Sequence, residues 1–148
     1  MFGKTANDPK LLFPGLAGFY AAVSDLWYPL IRIVFAACVM THGWPKLMSG
    51  AAAVAPGMAK MGFVPGIVFA YAAMVLEIVG AACVALGLFT RFFAAALAIE
   101  MLLITLVVQL PRGFARMELA ILFGVVFFAI ALRGGGPYSL DRVIGKEL

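Results

Sequence analysis

Three glutamates, Glu77, Glu100 and Glu118, lie inside apolar stretches that the sequence predicts to be membrane-spanning helices. A carboxylate near the centre of a bilayer is costly unless it is paired, protonated or hydrated. The basic side chains that could compensate these carboxylates all belong to one other apolar segment: Arg32, His42 and Lys46. We therefore predict a polar site inside the membrane.

Helical rise, about 1.5 Å per residue, converts sequence position into depth within the bilayer. Measured from the face that would carry both termini, Arg32 and Glu100 fall in the same half of the membrane. Their similar depth predicts an ion pair between these two side chains. Such a pair would have a structural role, because it would fix the register of two helices.

The remaining ionisable groups fall closer to the opposite face. His42, Glu77 and Glu118 have similar predicted depths, with Lys46 above them near the membrane surface. Histidine titrates near neutral pH, so a histidine beside two carboxylates could couple protonation to redox chemistry on a bound quinone. The residues that we expect to line a polar pocket for a ligand are Arg32, His42, Lys46, Glu77 and Glu118.

The sequence carries no catalytic constellation that would act alone. The single histidine, His42, cannot supply two axial haem ligands, and Cys38 and Cys83 lie in different segments without a CxxC motif. No metal-ligand cluster, nucleophile triad or nucleotide-binding fingerprint is present. If the protein handles electrons, we expect a non-covalently bound quinone, or a lipid in the same pocket, rather than a covalent cofactor.

The composition predicts one integral membrane domain. Of the 148 residues, 65% are hydrophobic and only 12% are charged, about half the charge of an ordinary soluble domain. No run of basic residues indicates nucleic-acid binding. Each of four apolar segments is near the length of about 20 residues that a helix needs to cross a bilayer. These predicted spans cover residues 26–47, 66–88, 92–110 and 115–132.

The predicted fold is an all-α membrane protein, a bundle of four transmembrane helices formed by residues 26–148. Residues 1–25 are read as a polar and interfacial segment. Residues 51–61 are read as a short helix on the membrane surface between the first two spans. Six Lys and Arg residues on the side of the termini, against four on the other, favour cytoplasmic termini.

A polar motif is expected at the cytoplasmic face. Glycines after the fourth span would end that helix, and Ser139 could cap a short terminal helix. Asp141 could then pair with Arg91 or Arg142.

Several short motifs give the chain a resemblance to a known family. They are Arg32, the THGWPKL segment (41–47), EIVG (77–80), LGLFTR (86–91), Glu118 and GGGPYSLDR (134–142). In this order on four spans, they resemble the DoxX family of membrane proteins, which is related to the DoxD subunit of thiosulfate:quinone oxidoreductase. The resemblance implies a four-helix protein of the bacterial inner membrane. It also implies an accessory or quinone-side role in a redox assembly, with other subunits or further copies of the chain as partners.

Three functions remain open from the sequence. The first is a redox-linked or quinone-binding accessory subunit of a membrane oxidoreductase system. The second is a non-enzymatic structural or assembly subunit of a larger membrane complex. The third is a small proton or ion transporter, which is less favoured because the spans show neither broken mid-membrane helices nor an inverted repeat.

Overall fold

Helices account for most of the structure. The computed structural model describes residues 11–147, and this part of the chain contains no β-strand. The helices are α1 (Pro14–Val23), α2 (Trp27–Ser49), α3 (Ala51–Lys60), α4 (Gly66–Leu86), α5 (Thr90–Arg112), α6 (Phe114–Arg133) and α7 (Leu140–Ile144). The predicted all-α class is confirmed.

Four long helices, α2, α4, α5 and α6, pack side by side around one apolar core. α4 contacts both α2 and α5, α5 and α6 pack along their lengths, and α2 touches α6. Each helix contributes small or branched side chains at helical spacing, which allows close approach. The buried core residues are Tyr28, Ala36, Val39, Ala81, Val84, Ala94, Leu97, Met101, Phe123, Phe127 and Ile130.

The long helices also have the composition of membrane spans. α4, α5 and α6 are each long and apolar enough to cross a bilayer. α2 qualifies together with α1, and the two helices are bent by 50° at the break between them. Large apolar side chains cover the outer surface of the bundle, as contact with lipid requires. The protein is therefore a multi-pass membrane protein.

The turn between α4 and α5 is built from backbone geometry and one carboxylate. Gly87, at φ +73°, ends α4 in a left-handed conformation, and the Leu88 amide donates to the Cys83 carbonyl at 2.9 Å. This is the Schellman pattern of helix termination. Phe89 also has a positive φ of 47°, which is unfavourable for a residue with a side chain. Its amide donates to Asp141 Oδ1 at 2.7 Å, which holds this conformation in place.

The predicted short helix between the first two spans forms as α3, and it packs against the bundle. A Cβ atom at Gly66 would lie 2.2 Å from the carbonyl oxygen of Ala55, so the start of α4 touches the backbone of α3. Ala51, Ala70 and Met74 form a small second core beneath α3. α3 therefore serves as one wall of the bundle.

Replacing Gly87 by alanine should destabilise the fold. The new Cβ would lie 2.5 Å from Ser139 Cβ and 2.7 Å from an Arg32 guanidinium nitrogen, at a φ that alanine rarely adopts. We expect a loss of about 2 kcal/mol or more in unfolding free energy, measured by denaturation in mixed micelles. Gly18→Ala is the control, because no atom lies within 4 Å of its added Cβ. Equal stability of the two variants would contradict this account of the turn.

Candidate functional site

The inward face of α2 positions the first functional group. Arg32, Ala36, Val39 and Gly43 are buried at alternating spacings of four and three residues, and Lys46 continues this row. At Gly43, α2 comes so close to α4 that an added Cβ would lie 2.8 Å from Glu77 Cβ. The next turn of α2 therefore carries Lys46 alongside Glu77.

Lys46 and Glu77 form an ion pair. Lys46 Nζ lies 2.5 Å from Glu77 Oε1, and the Glu77 side chain is only 3% exposed. The Lys46 side chain is 28% exposed, so its other donors remain accessible from one side. Glu77 Oε2 is buried and has no hydrogen-bond partner in the described part of the chain. The sequence predicted both residues as members of one polar pocket, and the structure brings them into contact.

Glu77 lies in a π-helical turn, Leu76–Gly80, within α4. A π turn inserts one extra residue per turn and rotates the side chains that follow, and such turns are frequent at functional sites. A second π-helical turn, Ile104–Gln109, interrupts α5 beside the same region. Neither turn is predicted from the sequence.

A cavity of about 500 Å³ lies between α3, α4 and α5, with Lys46 at its edge. Its lining is almost entirely apolar, and Lys46 and Glu100 are the charged side chains in it. Ile99 is 59% exposed and Leu103 is 41% exposed, so the cavity opens at the side of the bundle, where lipid chains would lie. The lining residues are Lys46, Val54, Gly57, Met58, Met61, Phe63, Phe69, Ala72, Ala73, Leu76, Ala96, Ile99, Glu100, Leu103, Ile104 and Val108.

Glu100 belongs to this cavity, and the predicted ion pair between Arg32 and Glu100 is wrong. Glu100 Oε2 is buried without a hydrogen-bond partner, and the charges of Glu77 and Lys46 act on its carboxyl group. Similar depth did not bring Arg32 and Glu100 together, because the two side chains point to different parts of the bundle. Glu100 therefore lines the cavity and does not fix the register of two helices with Arg32.

Arg32 lies at the other end of the bundle, and its side chain does not line the cavity. Its guanidinium donates to the carbonyl oxygens of Gly135 and Tyr138, the latter at 2.6 Å, and is 2% exposed. Tyr28, one turn earlier on α2, donates its hydroxyl to the carbonyl of Gly134. These bonds fix the glycine-rich segment that follows α6 against α2. The prediction of Arg32 as a pocket residue is corrected accordingly.

The predicted motif of Arg91, Ser139, Asp141 and Arg142 comes together at this same end. Ser139 caps α7 as predicted, because its Oγ accepts from the Arg142 amide at 3.3 Å. Asp141 does not pair with an arginine. Its carboxylate accepts from the amides of Phe89 and Thr90, at 2.7 and 2.9 Å, and from the Thr90 hydroxyl at 2.6 Å.

Arg91 has a capping role of its own. Its guanidinium donates to the last carbonyls of α6, at 2.6 Å for Leu132, and pairs with Glu147 at 2.8 Å. A cation at a helix C-terminus satisfies free carbonyls and opposes the helix dipole. This end of the bundle is therefore a set of helix caps, with a structural role.

His42 and Glu118 do not join the pocket. Both side chains are exposed on the outside of the bundle. His42 precedes Gly43 by one residue, which rotates it about 100° away from the inward face. Their similar predicted depth did not indicate the direction of either side chain, because depth along a helix carries no information about the rotation of that helix.

Within residues 11–147, no cluster of three His, Cys, Asp or Glu side chains could hold a metal ion. The site is instead an apolar cavity with an ion pair and a further carboxyl group at one side.

Fold and site together define a multi-pass helical membrane protein with a side-opening cavity. The family model for DoxX matches residues 27–110, more than half of the chain, and this range contains every residue that lines the cavity. The chain belongs to the DoxX family. No curated protein and no solved structure gives a significant match to it.

Replacing Lys46 by methionine should destabilise the bundle, because Glu77 would then be a buried carboxylate without a partner. Breaking a buried ion pair on one side costs about 3 kcal/mol, whereas replacing both partners by apolar residues is often neutral. We therefore expect the double variant Lys46→Met/Glu77→Met to be more stable than Lys46→Met alone in micelle denaturation. A double variant as unstable as the single one would show that the pair does not compensate Glu77.

Replacing Asp141 by asparagine should loosen the start of α5. The carboxylate accepts three hydrogen bonds there, and its loss should cost about 1–2 kcal/mol. Hydrogen exchange of the Phe89 and Thr90 amides should accelerate. Arg142→Gln is the control, because this exposed side chain makes only a 3.4 Å contact with the Pro137 carbonyl. Unchanged exchange in the Asp141 variant would refute the capping role.

Proposed function

We propose that the protein binds a quinone in the cavity between α3, α4 and α5. The observation that carries this proposal is a large apolar cavity with polar groups confined to one part of its wall. Its volume of about 500 Å³ is within the range of small-molecule sites. A quinone has a polar ring and an apolar tail, so it matches both the chemistry of the lining and the lateral opening towards lipid.

Lys46 and Glu100 would contact the ring of the bound quinone. The ammonium group of Lys46 can donate to a ring carbonyl, since a lysine has three donors and Glu77 Oε1 accepts from this group. Glu100 Oε2 has no partner among residues 11–147, so a ligand group could complete its hydrogen bonding. A buried polar atom without a partner is unusual and is often found where a ligand binds.

In this role the protein would be an accessory subunit of a membrane oxidoreductase system and would not be catalytic alone. Electrons would come from a partner subunit, and the quinone would exchange with the bilayer through the side opening. We further propose that the protein resides in a bacterial inner membrane with both termini in the cytoplasm, as the distribution of Lys and Arg favours.

A groove between α5 and α6 supports the alternative of a structural or assembly subunit. It has a volume of about 500 Å³ and includes several small residues, among them Ala95, Ala98, Ala120 and Gly124. Small residues on a lipid-facing surface permit close packing of another transmembrane helix. Purification in mild detergent distinguishes the two functions: a quinone retained by the isolated chain favours the first, and a stable partner without quinone favours the second.

Filling the cavity should abolish quinone binding without unfolding the protein. Ala73 lines the cavity, so phenylalanine at this position would occupy the volume that the ring needs. We expect the quinone content of purified Ala73→Phe, measured by solvent extraction and chromatography, to fall about tenfold or more. Val79→Phe is the matched control, because Val79 is on the same helix, 50% exposed and outside the cavity. Equal quinone content in both variants, or none in the wild type, would refute the proposal.

A further inference from the structure

The charge balance of the cavity has a consequence for what it binds. Among the described residues, Lys46 is the one basic side chain in the lining. Its ammonium group is already paired with Glu77, and Glu100 adds a second carboxyl group with no basic partner. A ligand that enters the cavity therefore meets hydrogen-bonding groups but no free positive charge.

This charge balance is fixed by the packing of α2 against α4. Glu77 is almost fully buried, and the contact at Gly43 leaves no room for a side chain between the two helices. The close contact leaves the Glu77 carboxylate little space other than the position beside Lys46. This packing favours the ion pair over release of Lys46 to a ligand.

An anionic head group would be poorly accommodated here. A charge that leaves water for a low-dielectric site needs a counter-charge, and the available cation, Lys46, is already paired with Glu77. An uncharged head group, by contrast, can form hydrogen bonds with the remaining donors of Lys46 and with the unpartnered oxygen of Glu100, and no uncompensated charge is buried.

We infer that Glu77 determines the head-group selectivity of the cavity: by neutralising Lys46, it admits amphiphiles with an uncharged polar head and excludes those with an anionic head. This inference rests on the proposed function in that the ligand enters this cavity.

The test uses two probes that differ by one anionic substituent on the head group. One is a naphthoquinone with a short alkyl tail, and the other is the same molecule with a sulfonate on its ring, which is ionised at every working pH. Affinity for the full-length protein is measured in nanodiscs of uncharged lipid. For the wild type we expect the neutral probe to bind about tenfold more tightly or better.

The decisive variant is Glu77→Gln, which keeps the shape of the side chain and frees the charge of Lys46. We expect this variant to reduce the preference for the neutral probe by about tenfold, or to reverse it, chiefly by tighter binding of the sulfonated probe. Glu77→Asp, which keeps the charge, should retain the wild-type preference. Glu118→Gln is the matched control, because it removes an exposed glutamate outside the cavity and should change nothing.

The outcomes separate this inference from the proposed function. If the neutral probe binds the wild type and Glu77→Gln leaves the preference unchanged, the selectivity role is wrong and the quinone site stands. If neither probe binds the wild type or the variant, both proposals fail. Should Glu77→Gln fail to fold, the wild-type ratio decides: equal affinity for the two probes overturns the inference, and a strong preference for the neutral probe supports it.

Discussion

The ion pair between Lys46 and Glu77 is the interaction on which the candidate site depends. A carboxylate this deeply buried within a membrane span needs a cation or a proton, and Lys46 supplies the cation from the neighbouring helix. The pair requires α2 and α4 to approach at Gly43, and Lys46, one turn later, reaches the edge of the cavity between α3, α4 and α5. Compensation of the Glu77 charge and close packing of α2 against α4 therefore depend on each other.

The two ends of the bundle use polar groups in different ways. At the end that carries Asp141, most polar side chains bond to backbone groups: Asp141 caps α5, Arg91 caps α6, and Arg32 holds the glycine-rich segment, although its buried Nε has no partner in the described part of the chain. At the other end, Glu100 in the cavity lining and Glu77 beside it each keep one buried oxygen without a partner among residues 11–147. Saturated groups stabilise a fold, whereas unsaturated buried groups lower stability and are available to a ligand. The hydrogen bonds at the Asp141 end support a structural role there, and the unpartnered carboxyl oxygens at the other end support the proposed binding role.

The helices were predictable from the sequence, and the site was predictable only in part. Long apolar segments leave the backbone no alternative to helix in lipid, so the four predicted spans match helices to within two residues at each end. Lys46 and Glu77 were both expected in a pocket, because a buried charge must find a partner. The predictions for His42, for Glu118 and for the Arg32–Glu100 pair were wrong for one reason. Depth follows from helical rise, but the direction of a side chain depends on the rotation and tilt of its helix. The packing of small residues decides that rotation and tilt.

Some of the missing information was present in the sequence. Buried positions on α2 recur at Arg32, Ala36, Val39 and Gly43, and this pattern would have excluded His42 from the inward face. The π-helical turn at Glu77 has no such signature in the sequence. It lies where α4 meets both α2 and the cavity: Glu77 pairs with Lys46, whereas Ala73 and Leu76 line the cavity. Adjacent residues of a helix diverge by about 100°, so Leu76 and Glu77 point to different neighbours. One helix thereby contributes both to the ion pair and to the cavity wall.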